Sequence, residues 1–202
     1  MRGTFALSVA AALMATILLV VTGVGLASVY RNFVERAFDA RLSAYVRLLV
    51  VDLAPADKQV LPQSIGEPLF ELPLSGWYWQ INAVGVSKPE IRSSPSLLDT
   101  GLRRLRDEDA ATSPEGVRGG YAIGPAEQRL RLIERTVDLG DDGRYLIAVA
   151  GDAFEIDNQI RLFEKAIAVS FGFLATLLAL IMYFHTRLVQ VGFAREAPSG
   201  AA

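Results

Sequence analysis

At 202 residues, with 51% hydrophobic and 21% charged residues and a net charge of −2, the chain has room for one ordinary domain plus strongly apolar segments. It has no cysteine, which excludes disulfides, thiolate nucleophiles and Cys-containing zinc sites. Its single histidine excludes a multi-histidine metal cluster.

After a short N-terminus (residues 1–4), Phe5 to Tyr30 carries no charged residue and no Asn, Gln or His. A helix rises ~1.5 Å per residue, so this run exceeds the ~30 Å hydrocarbon core and predicts a first transmembrane helix over 5–30. A cleaved leader would have an apolar region of only about 7–15 residues. Gly23 and Ala27 give the helix a small-xxx-small step for close helix approach.

The next stretch, "RNFVERAFDARLSAYVRLLVVDL", spaces Val34, Phe38, Leu42, Tyr45, Leu49 and Leu53 by three or four, one apolar stripe on a helix. No proline or glycine separates it from Tyr30. The membrane helix is therefore expected to continue without a joint and to stop before Pro55. Arg36, Arg41 and Arg47 read as its solvated face.

In "GEPLFELPLSGWYWQINAVG" proline and glycine bracket short runs rich in aromatic and branched residues, which are strand signals with turn punctuation. On a strand Trp77, Trp79 and Ile81 share one face, Tyr78 and Gln80 the other. The tryptophans read as core anchors; the alternative is an aromatic-lined pocket, with Trp77, Tyr78 and Trp79 as the candidate ligand-binding residues and Tyr78 or Gln80 as a polar contact. From Ser93 to Gly120 the chain is polar and turn-rich, and "RRLRDEDA" reads as solvated surface. Asp107, Glu108 and Asp109 lack calcium-loop spacing.

"QRLRLIERTVDLGDDGRYLIAVAG" holds two strand-like runs around Gly140-Asp141-Asp142-Gly143, a hairpin, with Tyr145 to Ala150 apolar enough for a strand buried on both faces. Asp152 can then cap a helix, with Glu155 completing a capping-box-like pair. Ile156, Ile160, Phe163 and Ile167 carry its apolar spacing into Ala166–Phe184, a second uncharged run that predicts a transmembrane helix over 166–184. The tail, 185–202, begins with His185. Between Tyr183 and Arg187 at the hydrocarbon boundary, this histidine is an interfacial residue.

The central segment, 31–165, has 17 basic and 21 acidic residues and no basic patch of the nucleic-acid kind. Its Arg31, Arg36, Arg41, Arg47, Arg161 and Lys165 outnumber the basic residues of the tails. Charge counting is weak for long translocated domains, so it leaves the orientation open. Glu134, Asp138 and Asp152 supply carboxylates, but no activated nucleophile or metal set accompanies them. No catalytic residue, cofactor or metal ligand is expected.

The order of these features resembles the amino-terminal sensory region of bacterial two-component sensor histidine kinases: an apolar helix, "FVERAFDARLSAYVRLLVVDL", "GEPLFELPLSGWYWQI", "RLRLIERTVDLGDDGRYLIAVAGDAFEID", a second apolar helix. The similarity runs from Thr4 to about Thr186, and "ELPLSGWYWQI" and "GRYLIAVAGD" are its most specific parts. The resemblance implies an α+β fold with two transmembrane helices flanking a PAS-like periplasmic domain (31–165) built on an antiparallel sheet. It further implies an inner-membrane homodimer in contact with lipid, both termini cytoplasmic, and phosphorelay signalling through a cytoplasmic kinase or response regulator. The sequence departs from the family after the second helix. Only 18 residues follow Phe184, where a linker, a phospho-acceptor domain and an ATP domain would need about 200 more. His185 lacks the following acidic residue and proline of the family's acceptor histidine, so no kinase activity is expected of this chain alone. Two readings stay open: a sensory input module whose kinase core lies elsewhere, and a stand-alone accessory protein that modulates a full-length kinase.

Overall fold

The computed structural model describes residues 2–53, 67–85, 91–106, 110–112, 116–140 and 143–195. Pro55, the acidic run 107–109 and the hairpin residues Asp141 and Asp142 lie outside the described residues. The fold is α+β, with a six-stranded antiparallel sheet and two long apolar helices. Helix α1 spans Arg2–Leu53 and α2 spans Ala153–Arg195. The strands are β1 (Tyr78–Val84), β2 (Ile91–Ser93), β3 (Ala111–Thr112), β4 (Val117–Ile123), β5 (Arg129–Asp138) and β6 (Arg144–Asp152), in the order β2-β1-β6-β5-β4-β3. The chain divides into two compact units, Met1–Asn32 with Ile160–Ala202, and Phe33–Gln159.

In the first unit, α1 and α2 are long and apolar enough to cross a membrane. Leu13, Ile17, Leu18, Val24, Val169, Phe173 and Ile181 all lie exposed, so these helices are apolar all round rather than on one stripe. The two helices touch where the Tyr30 and Phe163 rings stack at 3.8 Å. Gly23 faces Phe171, whose ring would lie 3.0 Å from an added Cβ. Gly23 thus packs against α2 of the same chain.

In the second unit the sheet has two covered faces. Toward α1 it presents Trp79, Ile81, Ile133, Ile147 and Val149, and α1 answers with the buried residues Val34, Phe38, Leu42, Val46 and Leu49. The stripe differs from the sequence expectation at two positions. Leu53 is only partly buried. Val46, not Tyr45, is buried, and Tyr45 sits half-buried at the edge with its ring on Phe70 and its hydroxyl on Glu67. A phenol at the rim keeps its polar end hydrogen-bonded while valine fills the dry centre. Gly151 allows a close approach of α1 to the sheet. A Cβ there would come within 2.7 Å of the Phe38 ring.

The opposite face carries Tyr78, Leu130, Leu132, Ala148 and Ala150 and is covered by the chain between β2 and β3. That stretch has a 3-10 turn at Pro95–Leu97 and runs without regular structure through Gly101–Arg106. It inserts Leu97 and Leu105 into the core while Arg103, Arg104 and Arg106 stay exposed. The polar stretch expected as solvated surface is therefore a strap with an apolar underside.

Upstream of β1, "EPLF" forms a 3-10 turn at Pro68–Phe70 rather than a strand; proline at the first helical position favours it. The β5–β6 hairpin turns at Gly140 and Gly143, both at positive φ, which glycine adopts without strain. Asp152 Oδ1 accepts the Phe154 N–H at 2.8 Å and caps α2, while the Glu155 carboxylate lies 3.7 Å from Arg41.

Candidate functional site

The three aromatic candidates fall in two cores. Trp77, just before β1, packs against Phe38, Tyr45 and Phe70 on the helix side, with the Arg41 guanidinium 4.3 Å from its ring centroid. Trp79 is buried on the same side by strand alternation, and its backbone N–H donates to Ser94 Oγ. Tyr78 belongs to the strap-side core, where its hydroxyl accepts a hydrogen bond from Gln128 Nε2. Trp77 and Trp79 thus pack on the helix side of the sheet and Tyr78 on the strap side.

What the fold does bring together is a charged seam on the helix side of the sheet. Glu35 and Asp39, four residues apart on α1, lie on one face of the helix. Arg131 of β5 donates from Nε and Nη2 to the two Asp39 oxygens at 2.8 and 2.7 Å, a bidentate pair whose arginine side chain is only 11% exposed. Tyr121 of β4, directly across from Arg131, donates to Glu35 at 2.8 Å. Two positions along β5 and on the same face, Arg129 grips Asp157 of α2 with bonds of 2.9 and 3.0 Å. The Arg129 and Arg131 guanidinia lie 3.9 and 4.8 Å from the Tyr121 ring centroid. A second junction joins Arg41 to Glu67 at 3.1 Å, and Tyr45 donates to the same Glu67 oxygen at 2.7 Å.

Electrostatics follow this geometry. Burial, reinforced by the hydrogen bond to Glu35, pushes the Tyr121 phenol up to about 12. For Arg131 burial pulls downward, but the Asp39 carboxylate outweighs it and the guanidinium ends above its ordinary value. Burial raises Tyr45, and its bond to Glu67 adds to the shift. On the exposed hairpin, the Gly140 N–H and then Arg144 hold Asp138 below the usual carboxylate range.

The strap is clamped by a polar row that crosses four strands on the other face. Gln80, Ala148, Glu134 and Arg118 are successive cross-strand partners on β1, β6, β5 and β4. Gln80 Oε1 accepts the Leu102 N–H at 2.7 Å and Glu134 Oε1 accepts the Leu105 N–H at 2.8 Å. Arg118 donates to the Leu105 carbonyl at 3.1 Å. Glu134 is 1% exposed; among the described residues its Oε2 has no hydrogen-bond partner, and it lies 4.0 Å from Arg118. Alanine at 148 leaves room for the strap to cross between Gln80 and Glu134.

Neither the seam nor the row was assembled from the sequence. Asp39 and Arg131 are 92 residues apart, and nothing local announces such a pair. The alternation in "RLRLIER" does place Arg129 and Arg131 on one face, a signal that arginine was shared between strand and helix. Among the described residues there is no group of three or more side chains suited to a metal ion. No family model matches the chain, and no curated protein or solved structure matches it either.

Proposed function

We propose that this chain is the membrane-bound sensory input module of a two-component histidine kinase. In this reading the central segment is a PAS-like domain on the periplasmic side of a bacterial inner membrane. The chain works as a homodimer with cytoplasmic termini, and the state of the domain passes through α2 to a kinase. One observation carries the reading. β5 holds both helices from adjacent same-face positions, Arg131 on Asp39 of α1 and Arg129 on Asp157 of α2. A shift of that strand changes the load on both helices at once, as a two-state packing switch requires. Both of these helices are long and apolar enough to cross a bilayer.

The cysteine-free sequence makes the test direct. Thr136→Cys, at an exposed position on β5, is expected to react with a membrane-impermeant maleimide on spheroplasts before lysis. Reaction only after lysis overturns the periplasmic assignment. With a histidine kinase core fused behind α2, Arg131→Gln is expected to shift basal autophosphorylation. Unchanged output argues against transmission through this seam.

A further inference from the structure

Where the strap meets the β4–β5 turn there is a cleft of about 590 Å³, within the usual range for small-molecule sites. The strap contributes Gly101 and Arg103; the turn contributes Ile123, Gly124, Pro125 and Glu127. The cleft therefore offers one cation, one anion and an apolar patch.

The turn that carries Glu127 is tightly built. Gly124 N–H bonds the Gln128 carbonyl at 2.8 Å, Glu127 N–H bonds the Gly124 carbonyl at 3.1 Å, and Ala126 N–H bonds Gln128 Oε1 at 2.8 Å. Glu127 itself sits at φ +59°, a left-handed conformation that glycine would adopt with less strain. A glutamate kept in a strained position, at the mouth of a cleft, is the kind of outlier from which function is inferred. Both walls are anchored to β1: Leu102 beside Gly101 and Arg103 through Gln80, and Gln128 beside Glu127 through Tyr78.

We propose that this cleft binds a small zwitterion of the amino-acid class bearing an apolar side chain. Arg103 takes the carboxylate, Glu127 the ammonium group, and Ile123 with Pro125 the apolar part. A ligand of single charge would meet the opposite charge on one wall and its own sign on the other. A zwitterion satisfies both. That such a ligand is the stimulus rests on the sensory reading above; that it binds does not.

The full chain in lipid nanodiscs is titrated with each proteinogenic amino acid, followed by thermal shift and calorimetry. At least one apolar amino acid is expected to stabilise the protein. Its N-acetyl and its carboxamide derivatives, each lacking one charge, are expected to bind roughly 10-fold or more weakly, as for a lost charge-assisted hydrogen bond. Arg103→Gln is expected to lose the response. So is Glu127→Gly, a substitution that relieves the backbone and so keeps the turn folded. No stabilisation by any amino acid overturns the proposal, and so does equal binding of the capped derivatives or of either variant. Because binding is read without kinase output or topology, its failure and failure of the sensory reading give different results.

Discussion

Tyr121 shows how a single side chain ties the sheet to α1. Its hydroxyl reaches Glu35, its ring lies beneath two guanidinia, and its phenol is raised to about 12. In the unfolded chain the same group titrates near the ordinary value of 10. The folded state therefore holds the proton more tightly, a contribution complete below pH 10 and lost as pH climbs from 10 toward 12. Tyr121→Phe removes both the titration and the bond to Glu35. Thermal unfolding midpoints followed across that alkaline window are expected to fall less steeply for Tyr121→Phe than for the parent. Parallel curves would show that Tyr121 does not titrate in this way. The neighbouring Asp39–Arg131 pair lies mostly out of water, so the guanidinium depends on that carboxylate for its hydrogen bonds.

The strap is held by side chains instead of a strand ladder. Leu97 and Leu105 each contribute about 1.5–3 kcal/mol by burial, and Gln80 and Glu134 fix the backbone between and beside them. Glu134→Ala leaves the Leu105 N–H without its acceptor, a loss of about 1–3 kcal/mol that falls on local opening of this segment. The exposed Arg103, Arg104 and Arg106 make that opening visible to trypsin. Cleavage there is expected to quicken by roughly 10-fold in Glu134→Ala under conditions where opening is fast relative to cutting. An unchanged cleavage rate would mean the carboxylate does not hold the strap. The same element marks the limit of what the sequence discloses. Three- and four-residue spacing found the stripe of α1, and the continuous apolar run found β6, because both depend on neighbours in sequence. Reading "RRLRDEDA" as surface caught the arginines and missed Leu105, since its partners lie on β1, β5 and β6. The Gln80–Ala148–Glu134–Arg118 row exists only once strand register is set, and register couples residues from four separate segments.

For the molecule as a whole the deciding question is what surrounds the apolar helices. Val169 and Phe173 of α2 are 73% and 72% exposed, and Leu174, Leu177 and Ile181 are partly or largely exposed as well. In water each of these large side chains would forgo about 1.5–3 kcal/mol of burial. A hydrocarbon environment removes that cost and also accounts for the lack of a polar face. Leu174, near the middle of the uncharged run Ala166–Phe184, is the position at which the two environments differ most. On insertion scales leucine there favours the membrane by about 0.5 kcal/mol and arginine opposes it by about 2.5. Leu174→Arg is therefore expected to move the apparent insertion free energy of α2 by about 3 kcal/mol in the unfavourable direction, read from the integrated fraction in microsomal membranes. Thr136→Arg, an exposed position on β5, is expected to leave that fraction unchanged. If α2 instead remained in water, an arginine at an exposed helical position would be harmless, and the two variants would behave alike.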